Sequence, residues 1–203
     1  MSDIKARKKR DTSKKHQDIL DGAIKVFTEF GFENSSMDRI AEVANVSKRT
    51  IYNHFPSKEI LFQAIVADFV SLHEDMKPLE YSNTLSIRDQ LKTFINAELY
   101  FINDPRRRGI SKLLTSTFLI NPDFGQETYG QYTPHKAFID WLNLAKADKH
   151  LDFEFAELAA EVFYGLIEGC LTWNALLTDG KSLENNELLV DEIISVFINR
   201  YKY

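Results

Sequence analysis

The sequence predicts an all-α protein. Apolar residues recur at spacings of three and four along most of its 203 residues, the repeat of a helix face, and no run alternates apolar and polar as a half-buried strand would. Only 8 Gly and 5 Pro interrupt the chain, and 44% of it is hydrophobic, so a sizeable core is available and disordered or collagen-like classes are excluded. The length suits one domain, or a small domain joined to a larger one.

From Ser13 to Phe30, residues Ile19, Leu20, Ala23, Ile24, Phe27 and Phe30 form one face of an amphipathic helix, which Gly31 stops. A capping-box start follows at Ser35-Ser36-Met37-Asp38, where a Ser hydroxyl accepts an orphan N–H and the carboxylate reaches back. The second helix turns Met37, Ile40, Ala41 and Ala44 inward. Asn45 tolerates the left-handed backbone of a tight turn, and Val46 plugs it. Ser47 then caps a short helix, Lys48 to His54, with Ile51 and Phe55 facing inward and Lys48, Arg49, Thr50, Tyr52, Asn53 and His54 largely outward. Pro56 ends it. Ser57 caps a fourth helix that buries Ile60, Leu61, Ala64, Ile65, Ala67, Phe69 and Leu72 and ends at Pro78.

Further helices are predicted at 85–103, 106–120, 126–147, 154–178 and 184–202, separated by Pro105, Pro122-Asp123, residues 148–152 and Thr178-Asp179-Gly180. The last two carry wide apolar faces, so each is covered on more than one side.

The net charge of −5 hides an asymmetry: residues 1–58 hold 12 Lys/Arg and 8 Asp/Glu, net +4, and the remainder 13 and 22, net −9. Lys5, Arg7, Lys8, Lys9, Arg10, Lys14 and Lys15 make residues 1–12 and their flank a basic arm, either a solubility tail or an element that follows the DNA backbone or enters its minor groove. The single cysteine, Cys170, excludes a disulfide framework. The five histidines lack paired metal-ligand spacing, and no Gly-rich phosphate loop or nucleophile elbow is present, so neither an enzyme nor a metal or cofactor site is expected. Without an apolar run of spanning length or a leader, the expected compartment is the cytoplasm, with no membrane partner.

Two short helices joined by a tight turn, the second presenting polar and basic residues, form a helix-turn-helix whose second helix enters the major groove. The run from Gly31 to Glu59, GFENSSMDRIAEVANVSKRTIYNHFPSKE, resembles the DNA-binding domain of TetR-family regulators. It departs from the family's usual pattern in Asn45, where Gly is common, and Ser35, where Thr is common. The resemblance implies a helix-turn-helix domain at 13–58 and a helical effector-binding and dimerisation domain at 59–203. It also implies that Lys48, Arg49, Thr50, Tyr52, Asn53 and His54 face DNA, with Ser47 chiefly a cap. Chemistry agrees: Arg49 forks onto guanine, Asn53 pairs with adenine, and Thr50 touches a thymine methyl. Tyr52, His54 and Lys58 match phosphate-gripping positions, and Ser35, Ser36 and Arg39 sit at the positive end of the second helix.

Members of that family pair their last two helices into a two-fold dimer, which implicates Phe163, Ile167, Trp173, Leu188, Ile193 and Phe197 here. A dimer suits a palindromic double-stranded operator, and a small-molecule effector in the second domain would alter its geometry. Candidate ligand contacts are Phe94, Glu98, Phe101, Phe118, His135, Phe138, Trp141, Phe163 and Glu168, an aromatic set with polar groups beside it. Repression is the family's commoner mode. An activator, or a helical architectural protein that binds DNA regardless of sequence, are the alternatives.

Overall fold

The computed structural model describes residues 2–74, 80–130, 132, 135–183 and 186–203, with residues 2–12, 73, 74 and 183 as backbone alone. Pro78 lies outside the described residues. The helices are α1 Ser2–Phe30, α2 Met37–Val43, α3 Lys48–His54, α4 Lys58–Glu74, α5 Ile87–Asn103, α6 Pro105–Ile120, α7 Pro122–Tyr129, α8 Lys136–Ala147, α9 Ala156–Ile167, α10 Trp173–Leu177 and α11 Glu187–Tyr201. Among the described residues there is no strand, only an isolated bridge between Leu151 and Lys202.

Three departures from the periodicity have local causes. The basic arm is not separate from the first helix, since α1 begins at Ser2. The stretch 126–147 is two helices: Pro122 occupies the first turn of α7, where a missing N–H costs nothing, and α7 ends at Gly130 before α8 begins at Lys136. Between α9 and α10 the backbone widens into a π turn, Glu168–Thr172.

The chain divides into two compact units, Met1–Ser71 with Gly109–Gln131, and Leu72–Arg108 with Tyr132–Tyr203. These bounds differ from a division at residue 58, because residues 59–71 and 109–131 join the first unit. Its interior holds Ile19, Leu20, Ala23, Val26 and Phe27 of α1, Ile40 and Ala41 of α2, and Leu61, Phe62, Ile65 and Val66 of α4. Ile60, Ala67 and Leu72, expected inside, are exposed, because Phe62 and Val66 turn the buried stripe of α4 to a different phase. Rings bind the unit together: Phe62 lies 5.8 Å from both Phe27 and Phe118, and Phe32 stacks on Phe124 at 5.5 Å.

In the second unit, Leu91 and Ile95 of α5, Phe138, Trp141 and Leu142 of α8, Phe163 and Ile167 of α9, and Ile193, Ile194 and Phe197 of α11 form one core. Gln90, 2% exposed, has its polar atoms satisfied: its amide donates to the Ser82 and Leu85 carbonyls, and its oxygen accepts from Trp141 Nε1 and the Ser82 amide. Arg108 is also interior. Nη1 donates to the Ile102 and Asn103 carbonyls at 3.1 Å each, and Nε faces Asp179 at 3.4 Å. Arg106-Arg107-Arg108 is therefore not a uniformly solvated charge run.

Gly22 of α1 packs tightly against Ala44, the residue that caps the end of α2, since a β-carbon there would sit 2.9 Å from Ala44 Cβ and 3.1 Å from its backbone. Backbone contact explains a glycine within a helix. Gly22→Val should push the helices apart and lower unfolding free energy by about 1–3 kcal/mol, read from denaturant unfolding. An unchanged midpoint and slope would contradict this close packing.

Candidate nucleic-acid interface

The interface is assembled by three short pieces of backbone chemistry. Ser36 caps α2, its hydroxyl accepting from the Arg39 amide at 3.3 Å. The reciprocal half of a capping box is absent, because its third helical residue is Arg39 rather than an acid. Asp38 instead reaches Lys48 Nζ at 2.6 Å, tying the starts of α2 and α3. Both side chains are exposed, and the hydrogen bond to Asp38 holds the Lys48 ammonium above the usual lysine range.

Asn45 stands at φ 53°, and the turn closes through the Val46 amide donating to the Ala41 carbonyl at 2.9 Å. Asn takes this backbone with less strain than most residues. Ser47 then caps α3 by accepting from the Thr50 amide at 3.1 Å, and the two hydroxyls lie 2.7 Å apart. Ile51 is completely buried and Phe55 nearly so, which fixes the rotation of α3. Arg49, Tyr52 and Asn53 consequently share the outward face, with Lys48 beside them.

Other expected contacts turn elsewhere. Ser35 is buried, and its hydroxyl donates to the Gly31 carbonyl at 2.6 Å, so it fastens the α1–α2 turn. Lys58 Nζ donates to the Phe32 and Glu33 carbonyls at 3.1 Å each and lies 4.6 Å from the Phe32 ring centre. It also stabilises that turn. Arg39 remains exposed, its guanidinium 4.1 Å over the Phe30 ring. His54 is half-buried, with the ring of His16 from α1 5.9 Å away and 4.9 Å from Phe55. His16, an exposed residue three positions before buried Ile19, is not among the sequence-based candidates.

In the second unit, Phe94, Phe138, Trp141 and Phe163 do come together: Phe138 lies 4.7 Å from Phe94, 5.6 Å from Trp141 and 4.6 Å from Phe163. His135 stacks on Tyr164, ring centres 3.4 Å apart. Burial, with Glu98 and Glu168 nearby, pushes the Tyr164 hydroxyl well above its ordinary range. Partial burial, with Glu98 and Glu161, likewise raises the Glu168 carboxyl. Phe101 is buried with Arg107 4.9 Å over its ring. Phe118 belongs to the first unit, beside Phe62, Phe124 and Tyr129, so it does not join the aromatic set of the second. Phe163, Ile167, Ile193 and Phe197 are at most 2% exposed within the chain's own core, which corrects their reading as dimer contacts. Trp173 and Leu188 are exposed, at 44% and 85%. Among the described residues no three metal-binding side chains cluster, and no helix is long and apolar enough to cross a membrane.

An outward polar face on a short helix, set by a tight turn in an otherwise buried three-helix unit, is the form of a helix-turn-helix DNA-binding protein. Residues 19–65 match the family described as bacterial regulatory proteins, tetR family, and residues 89–203 match the AefR-like transcriptional repressor C-terminal domain. The chain belongs to the TetR family of DNA-binding transcriptional regulators. Curated relatives include the uncharacterized regulator YhgD of Bacillus subtilis, 48% identical over 59 residues that cover 29% of each chain. Another is RutR of Escherichia coli, 35% identical over 81 residues, covering 36% of this chain and 38% of RutR. These matches span well under half the relatives' lengths. Among solved structures, a TetR-family regulator from Pseudomonas syringae is 27% identical with a TM-score of 0.75, covering 91% of this chain and 95% of that one. The flavonoid-responsive regulator FrrA is 26% identical with a TM-score of 0.71, covering 94% and 98%.

Lys58→Met keeps the side chain's length but removes its donors from the two turn carbonyls. It should lower unfolding free energy by about 0.5–1.5 kcal/mol in a denaturant titration. Unaltered stability with weakened DNA binding would return Lys58 to the phosphate-gripping set.

Proposed function

We propose that this regulator is a sequence-specific repressor that binds a palindromic operator as a homodimer and is released by a small apolar or aromatic effector. The carrying observation is the outward face of α3, with Arg49, Tyr52 and Asn53 held there by buried Ile51 and Phe55. Arg49 and Asn53 distinguish bases by bidentate hydrogen bonds, which favours a specific reader over an architectural protein relying on lysines. Thr50 is placed to touch a thymine methyl, and Lys48, His54, Ser36 and Arg39 supply the backbone contacts around them. The work is recognition in the cytoplasm, without catalysis.

The dimer surface consists of the side chains that α9, α10 and α11 leave exposed: Leu158, Val162, Trp173, Leu188 and Val196. Gly165 and Gly169 continue the exposed stripe between Val162 and Trp173, and a β-carbon at either would meet nothing within the chain. The effector reading rests on the aromatic group of Phe94, Phe138, Trp141 and Phe163, flanked by His135, Tyr164, Glu98 and Glu168. The flavonoid response named for FrrA fits such a lining.

Arg49→Ala should weaken binding to a duplex selected by the parent protein by about 1–3 kcal/mol and relax preference at one position per half-site, without altering stability. Retained affinity and preference would remove Arg49 from base reading. Val162→Glu combined with Val196→Glu should yield monomers by light scattering. A dimeric double variant would overturn the proposed surface.

A further inference from the structure

We propose that the effector is a protonated amine on an apolar body, its ammonium group held by Glu98, Glu168 and the Tyr164 hydroxyl and its body by the aromatic group beside them. The inference deepens the effector reading of the second unit and rests on it. Three observations carry it.

First, helix geometry gathers the polar groups. Glu161, Tyr164 and Glu168 follow one another at intervals of three and four, a single stripe along α9. Glu168 keeps helical angles, φ −61° and ψ −49°, as the backbone enters the π turn. Helix α5 contributes Glu98, one turn after Phe94. The charges of Glu98 and Glu168 both act on the Tyr164 hydroxyl, and those of Glu98 and Glu161 on the Glu168 carboxyl, so acids from two helices converge on one place. Glu161 and Glu168 are exposed at its rim, Glu98 is half-buried, and Tyr164 forms its floor.

Second, the floor lacks a partner. Tyr164 is only 8% exposed, yet its hydroxyl makes no hydrogen bond among the described residues. A buried phenol in that state forgoes the bonds that water would give it. Nor does a basic side chain among the described residues offset the repulsion felt by Glu168. Like charges gathered around an unpaired acceptor favour a cation that also donates hydrogen bonds.

Third, the acids border the aromatic group directly. Phe138 meets Tyr164 edge-on at 5.6 Å and Phe94 at 4.7 Å, and Phe94 lies 5.6 Å from Trp141. Such rings accept an apolar body and attract positive charge. A metal ion does not fit, since among the described residues no three ligating side chains come close enough to share one. A quaternary ammonium has no N–H and would leave the Tyr164 oxygen unpaired. A protonated amine meets both requirements.

The test uses probes of one shape and different head group on the full-length protein near neutral pH: phenylpropylamine, phenylpropanol and phenylpropanoate, with a naphthylpropyl set to enlarge the body. Binding is read by calorimetry, and release from a duplex selected by the parent protein by fluorescence anisotropy. The amine should bind about 10–100-fold more tightly than the alcohol, and the carboxylate most weakly. Glu98→Gln with Glu168→Gln should bring amine and alcohol within a few-fold of each other. Glu154→Gln with Glu192→Gln, which removes equal charge from exposed positions elsewhere, should keep the parental preference. Tyr164→Phe should weaken the amine several-fold without weakening its trimethylammonium analogue. Thermal melting checks that each variant is folded. An alcohol or carboxylate bound as tightly as the amine, a preference that survives the Glu98 and Glu168 exchange, or no binding by any amine would overturn the proposal. An amine that binds with this pattern but leaves the duplex occupied would instead strike the release reading. An alcohol that binds as well as the amine and frees the duplex would uphold release and remove the amine.

Discussion

A seven-residue helix does not persist alone in water; the cost of nucleating it exceeds what so few hydrogen bonds return. Helix α3 therefore exists because Ile51 and Phe55 are buried and Ser47 satisfies its first turn. The same two apolar residues set its rotation. Arg49, Tyr52 and Asn53 face outward as a direct consequence, and the regulator's capacity to read DNA depends on that anchoring.

Around this anchor, several polar side chains hold the turns. Ser35 and Lys58 converge on the segment between α1 and α2, one from inside through the Gly31 carbonyl and one through the carbonyls of Phe32 and Glu33. The Asp38–Lys48 pair is different: both groups are exposed, and in water such a contact contributes little. A phosphate could replace Asp38 as the partner of Lys48 with little loss. Buried Ser35 has no comparable alternative.

The four N-terminal helices and the Asn45 turn were legible because caps, breaks and the apolar repeat all act between residues a few positions apart. Side-chain destinations were not legible where the partner is distant in sequence. Lys58 finds carbonyls 25 and 26 residues away, and Lys48 finds Asp38 ten away. In the second unit, α9 is apolar on most sides, so periodicity could not separate interior Phe163 and Ile167 from exposed Leu158 and Val162. The same ambiguity on α11 hid that Val196 is exposed and Ile193 and Phe197 are buried. The aromatic group of Phe94, Phe138, Trp141 and Phe163 was anticipated as a set, while Phe118 proved to serve the first unit's ring cluster.

Selection of duplexes from a random library by the full-length protein tests the central claim most directly. The account predicts a two-fold symmetric motif with half-sites about one helical turn apart, bound at least about a thousandfold more tightly than a scrambled duplex. Recovery of unrelated sequences, with selected and scrambled DNA bound alike at every salt concentration, would contradict it.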